Sequence, residues 1–262
     1  MTKHPLQGKL EAYLASVSGM VCVSFLDLTT GEKFSIQGDR SVHSASTIKL
    51  LIMAELMNRV QSGSLSLDQK IVITPEMKTG GDGILKELEP GHSFTLKEIM
   101  TLMIIVSDNQ ATNLLIDLLG MDAINARGKA LGLAQTVLGR KMMDSEARKQ
   151  GRDNYISAND MASILKAIHD GSLIDAESSK IMLDILMRQQ QNGRLQLYLP
   201  EELPIAHKCG DLDCLENDGG IIYAENHPYS LVVLTSEMPS NKEGREVIGI
   251  ISKAVYDSIL SP

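Results

Sequence analysis

The sequence contains no long run of basic residues and only three cysteines. Acidic side chains outnumber basic ones among its 262 residues, and the net charge is −8. This balance argues against a nucleic acid or an anionic membrane surface as a partner. Cys22, Cys209 and Cys214 are odd in number and lack the spacing of a metal site. We therefore expect a reducing compartment, no bound metal and no other cofactor.

Long apolar segments are absent as well. The longest, residues 99–106, includes Thr101 and is far too short to cross a bilayer. The first ten residues have no apolar core of signal-peptide length, so the chain as written is expected to be cytoplasmic. If a leader was removed from the natural protein, the expected location becomes extracytoplasmic. The hydrophobic content of 43% is enough for a large core, in one domain or two closely packed ones.

A polar segment meets a strongly apolar one at Ser46. Apolar residues recur at spacings of three and four from residue 48 to residue 60, which predicts a buried helix. Ser46 stands at its start, beside unpaired N–H groups and the positive end of the helix dipole. Lys49 follows three residues later, on the same face. A desolvated lysine can act as a base towards a serine, although a capping serine beside a surface lysine explains this motif alone equally well.

Two further motifs favour the catalytic interpretation. Ser107-Asp108-Asn109 lies between two predicted helices, and Lys208-Cys209-Gly210 ends a predicted strand at residues 203–207. The order Ser-x-x-Lys, Ser-Asp-Asn, Lys-x-Gly is the motif set of class A β-lactamases and penicillin-binding proteins. The chain therefore resembles this family of penicillin-recognising serine hydrolases, closest to class A, over nearly its whole length.

The resemblance implies a role for each matching position. Ser46 would be the acylated nucleophile, and Lys49 would share in its deprotonation. Ser107 would relay a proton to the leaving group with the help of Lys208. Asn109 would hold both the head of Lys49 and the amide of the substrate.

The same resemblance implies a substrate-binding strand that includes Cys209, Gly210 and Asp211. The backbone N–H groups of Ser46 and Asp211 would form the oxyanion hole. Asp108 is expected to bond to nearby backbone rather than to substrate.

The third motif departs from the family in two ways. Cys209 stands where the family normally has a hydroxyl, and a thiol is a poorer hydrogen-bond donor. Asp218-Gly219-Gly220 stands where the family often has an arginine that pairs with the substrate carboxylate. Carboxylate binding would then rest largely on Lys208. A literal Lys78-Thr79-Gly80 is not expected to be the third motif, because it precedes Ser107 and lies in a glycine-rich segment without a strand pattern.

The position of the deacylating base is the larger departure. In class A enzymes a loop glutamate activates the water that releases the acyl group, and Met142 occupies the corresponding position here. Asp144 and Glu146 lie close by and are candidate substitutes. The alternative is that both form salt bridges with basic residues of the same loop.

Strand patterns occur at both ends of the chain and helical patterns between them. Residues 20–28 and 33–37 predict a hairpin, and residues 203–207, 220–224 and 230–236 predict further strands. The expected fold class is α/β of the α+β type, with an antiparallel sheet flanked by helices and built from both chain ends. An all-helical region is inserted, as in the β-lactamase/transpeptidase-like fold. The predicted boundaries are 1–39 and 188–262 for the two parts of the α/β domain and 40–187 for the helical domain.

The sequence thus predicts a serine hydrolase that forms an acyl-enzyme at Ser46, with β-lactams as the ligand class and slow deacylation. Two alternatives stay open. One is hydrolysis of another amide or ester, and the other is β-lactam binding without turnover. In each case the partner is a small molecule. The natural substrate and the oligomeric state are left open.

Overall fold

Strands from the two ends of the chain meet in one sheet. A computed structural model describes residues 4–225 and 227–260. In chain order, the strands of this part of the chain are β1 (Met20–Asp27), β2 (Lys33–Ile36), β3 (Val42–His43), β4 (Lys70–Val72), β5 (Ser93–Thr95), β6 (Tyr155–Ile156), β7 (Ile205–Leu212), β8 (Leu215–Ala224) and β9 (His227–Ser236). The helices are α1 (Pro5–Leu14), α2 (Lys49–Gln61), α3 (Leu96–Ile105), α4 (Asn109–Leu119), α5 (Met121–Ala130), α6 (Ser145–Lys149), α7 (Ala158–His169), α8 (Ala176–Met187) and α9 (Asn241–Leu260).

The main sheet has the strand order β2-β1-β9-β8-β7, and every neighbouring pair is antiparallel. Alternate residues of β1 point to opposite faces, so Val23 and Phe25 join one apolar cluster and Cys22 joins the other. The terminal helices α1 and α9 share the first cluster, and α7 packs across β1, β8 and β9 on the second side. The predicted fold class is confirmed.

Helix α2 lies at the centre of the helical region. Its residues from Lys49 to Met57 are all buried, because α3, α4, α5 and α8 pack around it. This confirms the prediction of a helix buried on every side. A short 3₁₀ turn, Ala45–Ile48, precedes it, so Ser46 lies in that turn and not in the first turn of the α-helix.

Strand β7 differs from its prediction. The predicted strand ended before Lys208, whereas the observed strand runs from Ile205 to Leu212 and contains the whole third motif. It is the edge strand of the main sheet, and its buried polar side chains have partners: Lys208 Nζ donates to Ser107 Oγ at 3.2 Å, and His207 Nδ1 lies 3.0 Å from Asp218 Oδ1. Strands β3 to β6, each two or three residues long, are too short to show a periodicity, and they form two small antiparallel pairs.

The helices α2 to α8 fall within residues 40–187, and the strands of the main sheet fall outside them. The exact domain boundaries stay a prediction. No helix in the described ranges is both long and apolar enough to cross a membrane.

A buried carboxylate ties the sheet to its neighbours. Glu216 on β8 is fully buried and accepts from Arg194 Nε at 2.5 Å and from Arg245 Nε at 2.8 Å. Arg194 is itself 5% exposed and comes from the segment before β7, whereas Arg245 belongs to α9 and is half-exposed. Glu216 therefore holds two separate elements against the sheet.

We expect Glu216→Ala to lower the free energy of unfolding by about 3–5 kcal/mol, because it leaves a buried guanidinium short of a partner. Arg245→Ala keeps the contact between Arg194 and Glu216, so it should cost about 1 kcal/mol or less. Urea denaturation of both variants measures the difference. Equal losses of unfolding free energy in the two variants would show that leaving the buried Arg194 short of a partner has no cost.

Candidate active site

The side chain of Lys49 brings the three motifs together. Its Nζ lies 2.9 Å from Ser46 Oγ, 2.9 Å from Ser107 Oγ, 2.7 Å from Ser107 O and 3.0 Å from Asn109 Oδ1. Lys49 is fully buried on the first turn of α2, Ser46 and Ser107 come from the turns that precede α2 and α4, and Asn109 is the first residue of α4. The predicted nucleophile and its predicted base are therefore in direct contact.

The protonation state of Lys49 follows from its surroundings. Burial, and then the charge of Lys208, hold the pKa of Lys49 well below its ordinary value, while Asp82 and Asp108 act in the opposite direction. An ammonium group has three N–H donors, but four oxygens lie within hydrogen-bond distance of Nζ. A neutral amine can accept the hydroxyl hydrogen of Ser46 while it donates to other oxygens. This arrangement suits a base that activates Ser46.

Ser107 connects the two buried lysines. Lys208 Nζ donates to Ser107 Oγ at 3.2 Å and to Cys209 O at 2.6 Å, and burial lowers the pKa of Lys208 as well. The backbone of Ser107 has a φ of +55°, which is unusual for a residue other than glycine. The hydroxyl therefore stands between Lys49 and Lys208, where a proton can pass from one side of the site to the other.

Asp108 holds the backbone around it, as the sequence predicts. Its Oδ2 accepts from the N–H groups of Ile84 and Leu85 at 2.7 and 2.9 Å, and its Oδ1 accepts from Ala111 N at 2.8 Å. Asn109 N donates to Asp82 O at 2.9 Å. Loop 80–85 is thereby fixed against the Ser107 turn, and its residues Gly81 and Asp82 line the pocket beside Ser46.

Gly210 allows β7 to approach the nucleophile. A Cβ at this position would collide with the backbone nitrogen of Ser46, so a larger residue would push the strand away. Asp211 follows on the strand and lines the pocket beside Ser46. Gly210 thus acts through its backbone, and the oxyanion hole assigned to Ser46 and Asp211 stays a prediction.

The pocket in front of Ser46 has walls from six segments of the chain. Its lining residues are Ala45, Ser46, Gly81, Asp82, Asn109, Arg140, Met142, Met143, Asp153, Asn154, Asp211 and Leu212. Of the predicted site residues, Ser46, Asn109 and Asp211 line it directly. Lys49, Ser107 and Lys208 are buried and do not line the pocket, but hydrogen bonds connect them to Ser46 and Asn109.

Cys209 does not take the position that the sequence suggests. It is fully buried, and its thiol lies 3.2 Å from Gln191 Oε1, outside the set of residues that line the pocket. Burial raises the pKa of the thiol, so it stays protonated. These contacts argue against the prediction that Cys209 binds substrate.

Neither candidate deacylating base reaches the pocket. Asp144 caps the short helix α6 and accepts from Ala147 N at 2.9 Å. The Glu146 side chain is 71% exposed and interacts with Lys149 and Gln150, one turn further along. The capping role of Asp144 and the exposed position of Glu146 both follow from the short helix α6, and no sequence pattern indicated that helix. The structure argues against either residue as the base.

Met142 lies at the pocket wall and is held there by its backbone. Its N–H donates to Asn113 Oδ1 at 2.8 Å, and its carbonyl accepts from Asn113 Nδ2 at 3.1 Å. Asn113 was missed from the sequence, although it lies four residues after Asn109 on one face of α4.

Arg140, Asp153 and Arg194 were also missed, and each takes part in an ion pair near the pocket. Arg140 Nε lies 2.7 Å from Asp153 Oδ1, and Arg194 lies 2.6 Å from Asp211 Oδ1. Nothing in the spacing of the sequence signals these pairs.

We expect Lys49→Ala to slow the acylation of Ser46 by a penicillin or an activated ester about 10²–10⁴-fold, the usual contribution of a general base. Lys49→Arg keeps a positive charge but cannot accept a proton, so it should be equally slow. In the unaltered protein the rate should rise with pH through a value well below about 10.4, the pKa of a free lysine, and then level off. Stopped-flow acylation rates measure this profile. A profile that still rises at that pH, or a fast Lys49→Arg variant, would refute the role of Lys49.

Comparison with known proteins agrees with this geometry. Beta-lactamase AER-1 of Aeromonas hydrophila is 28% identical over 75% of this chain and 66% of its own length. Beta-lactamase VEB-1 of Pseudomonas aeruginosa is 24% identical over 97% of this chain and 90% of its own length.

Among solved structures, a beta-lactamase from Sphaerobacter thermophilus is 32% identical over 98% of both chains, with a TM-score of 0.89. PBP-A is 27% identical over 97% of this chain and 95% of its own, also with a TM-score of 0.89, and a mutant of it has been solved as an acyl-enzyme complex with penicillin G. The model of the "Beta-lactamase enzyme family" matches residues 5–259. The chain therefore belongs to the beta-lactamase enzyme family, a family of β-lactamase-like serine hydrolases.

Proposed function

We propose that Ser46 is acylated by β-lactams and that the acyl-enzyme is released slowly. One contact carries the proposal: the buried amine of Lys49 lies 2.9 Å from Ser46 Oγ. The penicillin acyl-enzyme of PBP-A, a structural relative, supports β-lactams as the ligand class.

Acylation uses groups that are already in hydrogen-bond contact. Lys49 takes the proton of Ser46, and Oγ attacks the β-lactam carbonyl. When the ring C–N bond breaks, the leaving nitrogen takes a proton from Ser107, which regains one from Lys49. Lys208 lies 3.2 Å from Ser107 Oγ, where its charge favours this transfer and attracts the carboxylate of the substrate.

Release needs a base that holds a water molecule within about 3 Å of the ester carbonyl. Met142 has no basic atom. Asp153 and Asp211 line the pocket, but each carboxylate is paired with an arginine. Asp82 is exposed and has no side-chain partner in the described ranges, so nothing orients it towards an attacking water. Acylation is therefore well supported by the site, whereas release is not.

A β-lactam-binding protein without turnover is the second candidate. This candidate differs from slow hydrolysis only in the lifetime of the acyl-enzyme, and Met142 at the pocket wall favours it. One kinetic experiment distinguishes the two functions.

Incubation with benzylpenicillin should give a stoichiometric adduct at Ser46 that decays slowly, because acylation has its base and deacylation does not. A time course of intact mass, with peptide mapping, measures both steps. Ser46→Ala should show no adduct. A steady-state rate in the ordinary enzyme range of about 1–1,000 per second would contradict slow release. An acyl-enzyme that does not decay at all would show that the protein binds β-lactams without turnover.

Met142→Glu tests the cause of slow release. Asn113 fixes the backbone of residue 142, so a glutamate there would project from an anchored position in the pocket wall. We expect faster release in this variant. Met142→Gln has the same length but no base, so its release should stay slow. Equal release in the two variants would show that residue 142 does not supply the missing base.

Two lysines allow a matched test of the third motif. Lys78 is exposed in a loop, whereas Lys208 is buried beside Ser107. Lys208→Ala should slow acylation about 10- to 100-fold, because hydrogen bonds to a charged group contribute about 1.5–3 kcal/mol. Lys78→Ala removes the same charge and should change the rate no more than a few-fold. A larger loss of rate in Lys78→Ala would show that the third motif has been assigned to the wrong segment.

A further inference from the structure

Loop 80–83 forms the wall of the pocket beside Asn109. Asn109 N donates to Asp82 O at 2.9 Å, and Asn109 Nδ2 donates to Gly80 O at 3.3 Å. Gly81 has a φ of +76°, and a Cβ there would collide with Asn109 Nδ2 and crowd Met143 Sδ. The loop is therefore packed directly on the side chain that is expected to hold the substrate amide.

The Asp82 carboxylate has no directly bonded partner in the described part of the chain. Asp82 lines the pocket, and no hydrogen bond or ion pair of its side chain occurs among residues 4–225 and 227–260. Lys86, four residues further on, donates to Gly81 O at 2.5 Å and lies 3.6 Å from Glu87 Oε1. The neighbouring Asp108 is occupied by backbone N–H groups. Asp82 is thus free to meet a ligand.

The other ionised residues of the pocket lining are paired. Arg140 is bound to Asp153, and Asp211 is bound to Arg194. The negative charge of Asp82 nevertheless reaches the centre of the site. It acts on Lys49 and on Lys208, where it opposes part of the lowering of each pKa that burial causes.

The site therefore contains charges of opposite sign, Lys208 bonded to Ser107 and Asp82 on the pocket wall. In the proposed reaction, Lys208 draws the carboxylate of the ligand, and Asn109 holds the amide that carries the acyl side chain. Asp82 O accepts from the backbone N–H of Asn109, so Asp82 lies on the pocket wall beside the residue that is expected to hold this amide. A ligand with a carboxylate near Lys208 and a positive charge on its acyl side chain matches these two charges.

We propose that the pocket selects zwitterionic amides, with a carboxylate that binds near Lys208 and an ammonium group on the acyl side chain that is recognised by Asp82. This inference rests on the proposed function and names its substrate class. Amides acylated by an amino acid have this chemistry, as do penicillins with an α-amino side chain. Ligands with an anionic acyl side chain would be disfavoured.

Three penicillins that differ at one carbon test the proposal. Ampicillin has an α-ammonium group, benzylpenicillin has no charge there, and carbenicillin has an α-carboxylate. Second-order rate constants for acylation of Ser46 should fall in that order, by about three- to tenfold at each step for unit charges near a protein surface. Salt at about 0.5 M should compress the series, because it screens exposed charges.

Asp82→Asn should bring the three rate constants to within about twofold of one another, since it removes the charge that discriminates between them. Asp82 is exposed, so the substitution leaves the fold intact. Asp68→Asn removes the same charge from an exposed loop residue outside the pocket lining and should preserve the order. Equal rates in the unaltered protein, or an unchanged order in Asp82→Asn, would overturn the proposal.

Equilibrium binding to Ser46→Ala separates this proposal from the proposed function. Calorimetry with the same three penicillins measures affinity without acylation, and the same order of affinities is expected. Ordered affinities without acylation of the unaltered protein would refute the acyl-enzyme and support charge selection. Acylation with equal rates and equal affinities would refute charge selection alone.

Discussion

Desolvation of the Lys49 amine is the constraint on which the rest of the site depends. A buried ammonium without full hydrogen bonding is costly, and such a group loses its proton instead. Helix α2 produces this situation because it is apolar on every side and lies inside the helical region. The oxygens of Ser46, Ser107 and Asn109 then satisfy the amine without restoring water around it. The core of the helical region therefore has a chemical role as well as a structural one.

The turns that present these oxygens are strained. Ala45 and Ser107 have φ values of +46° and +55°, and conformations of this kind cost about 1–3 kcal/mol each. Buried side chains hold both turns in place. Asn217 Nδ2 donates to His43 O at 2.9 Å just before the nucleophile, and Asp108 holds the turn after Ser107. The strain persists because sheet and helices fix the turns from opposite sides.

Much of this arrangement could be predicted from the sequence, since its signals are local. The three motifs, the capping role of Asp108 and the buried helix after Ser46 each depend on a few adjacent residues. The contacts that escaped prediction join distant segments. Asn113 meets Met142 across 29 positions, and Arg194 meets Asp211 across 17. Asp144 was misjudged for a related reason, because a carboxylate near a site and a carboxylate that caps a short helix look alike in sequence.

The loop that carries Met142 is well anchored. Asn154 Oδ1 accepts from Gly139 N at 2.8 Å and from Arg140 N at 3.0 Å, and Arg140 is paired with Asp153. Asn113 then fixes the backbone of Met142 itself. A disordered loop would explain slow release through poor geometry, but this loop is bonded at three successive points. In the proposed function, the limit on release therefore lies in the chemistry of Met142, because a thioether stands where an anchored carboxylate would accept a proton from water.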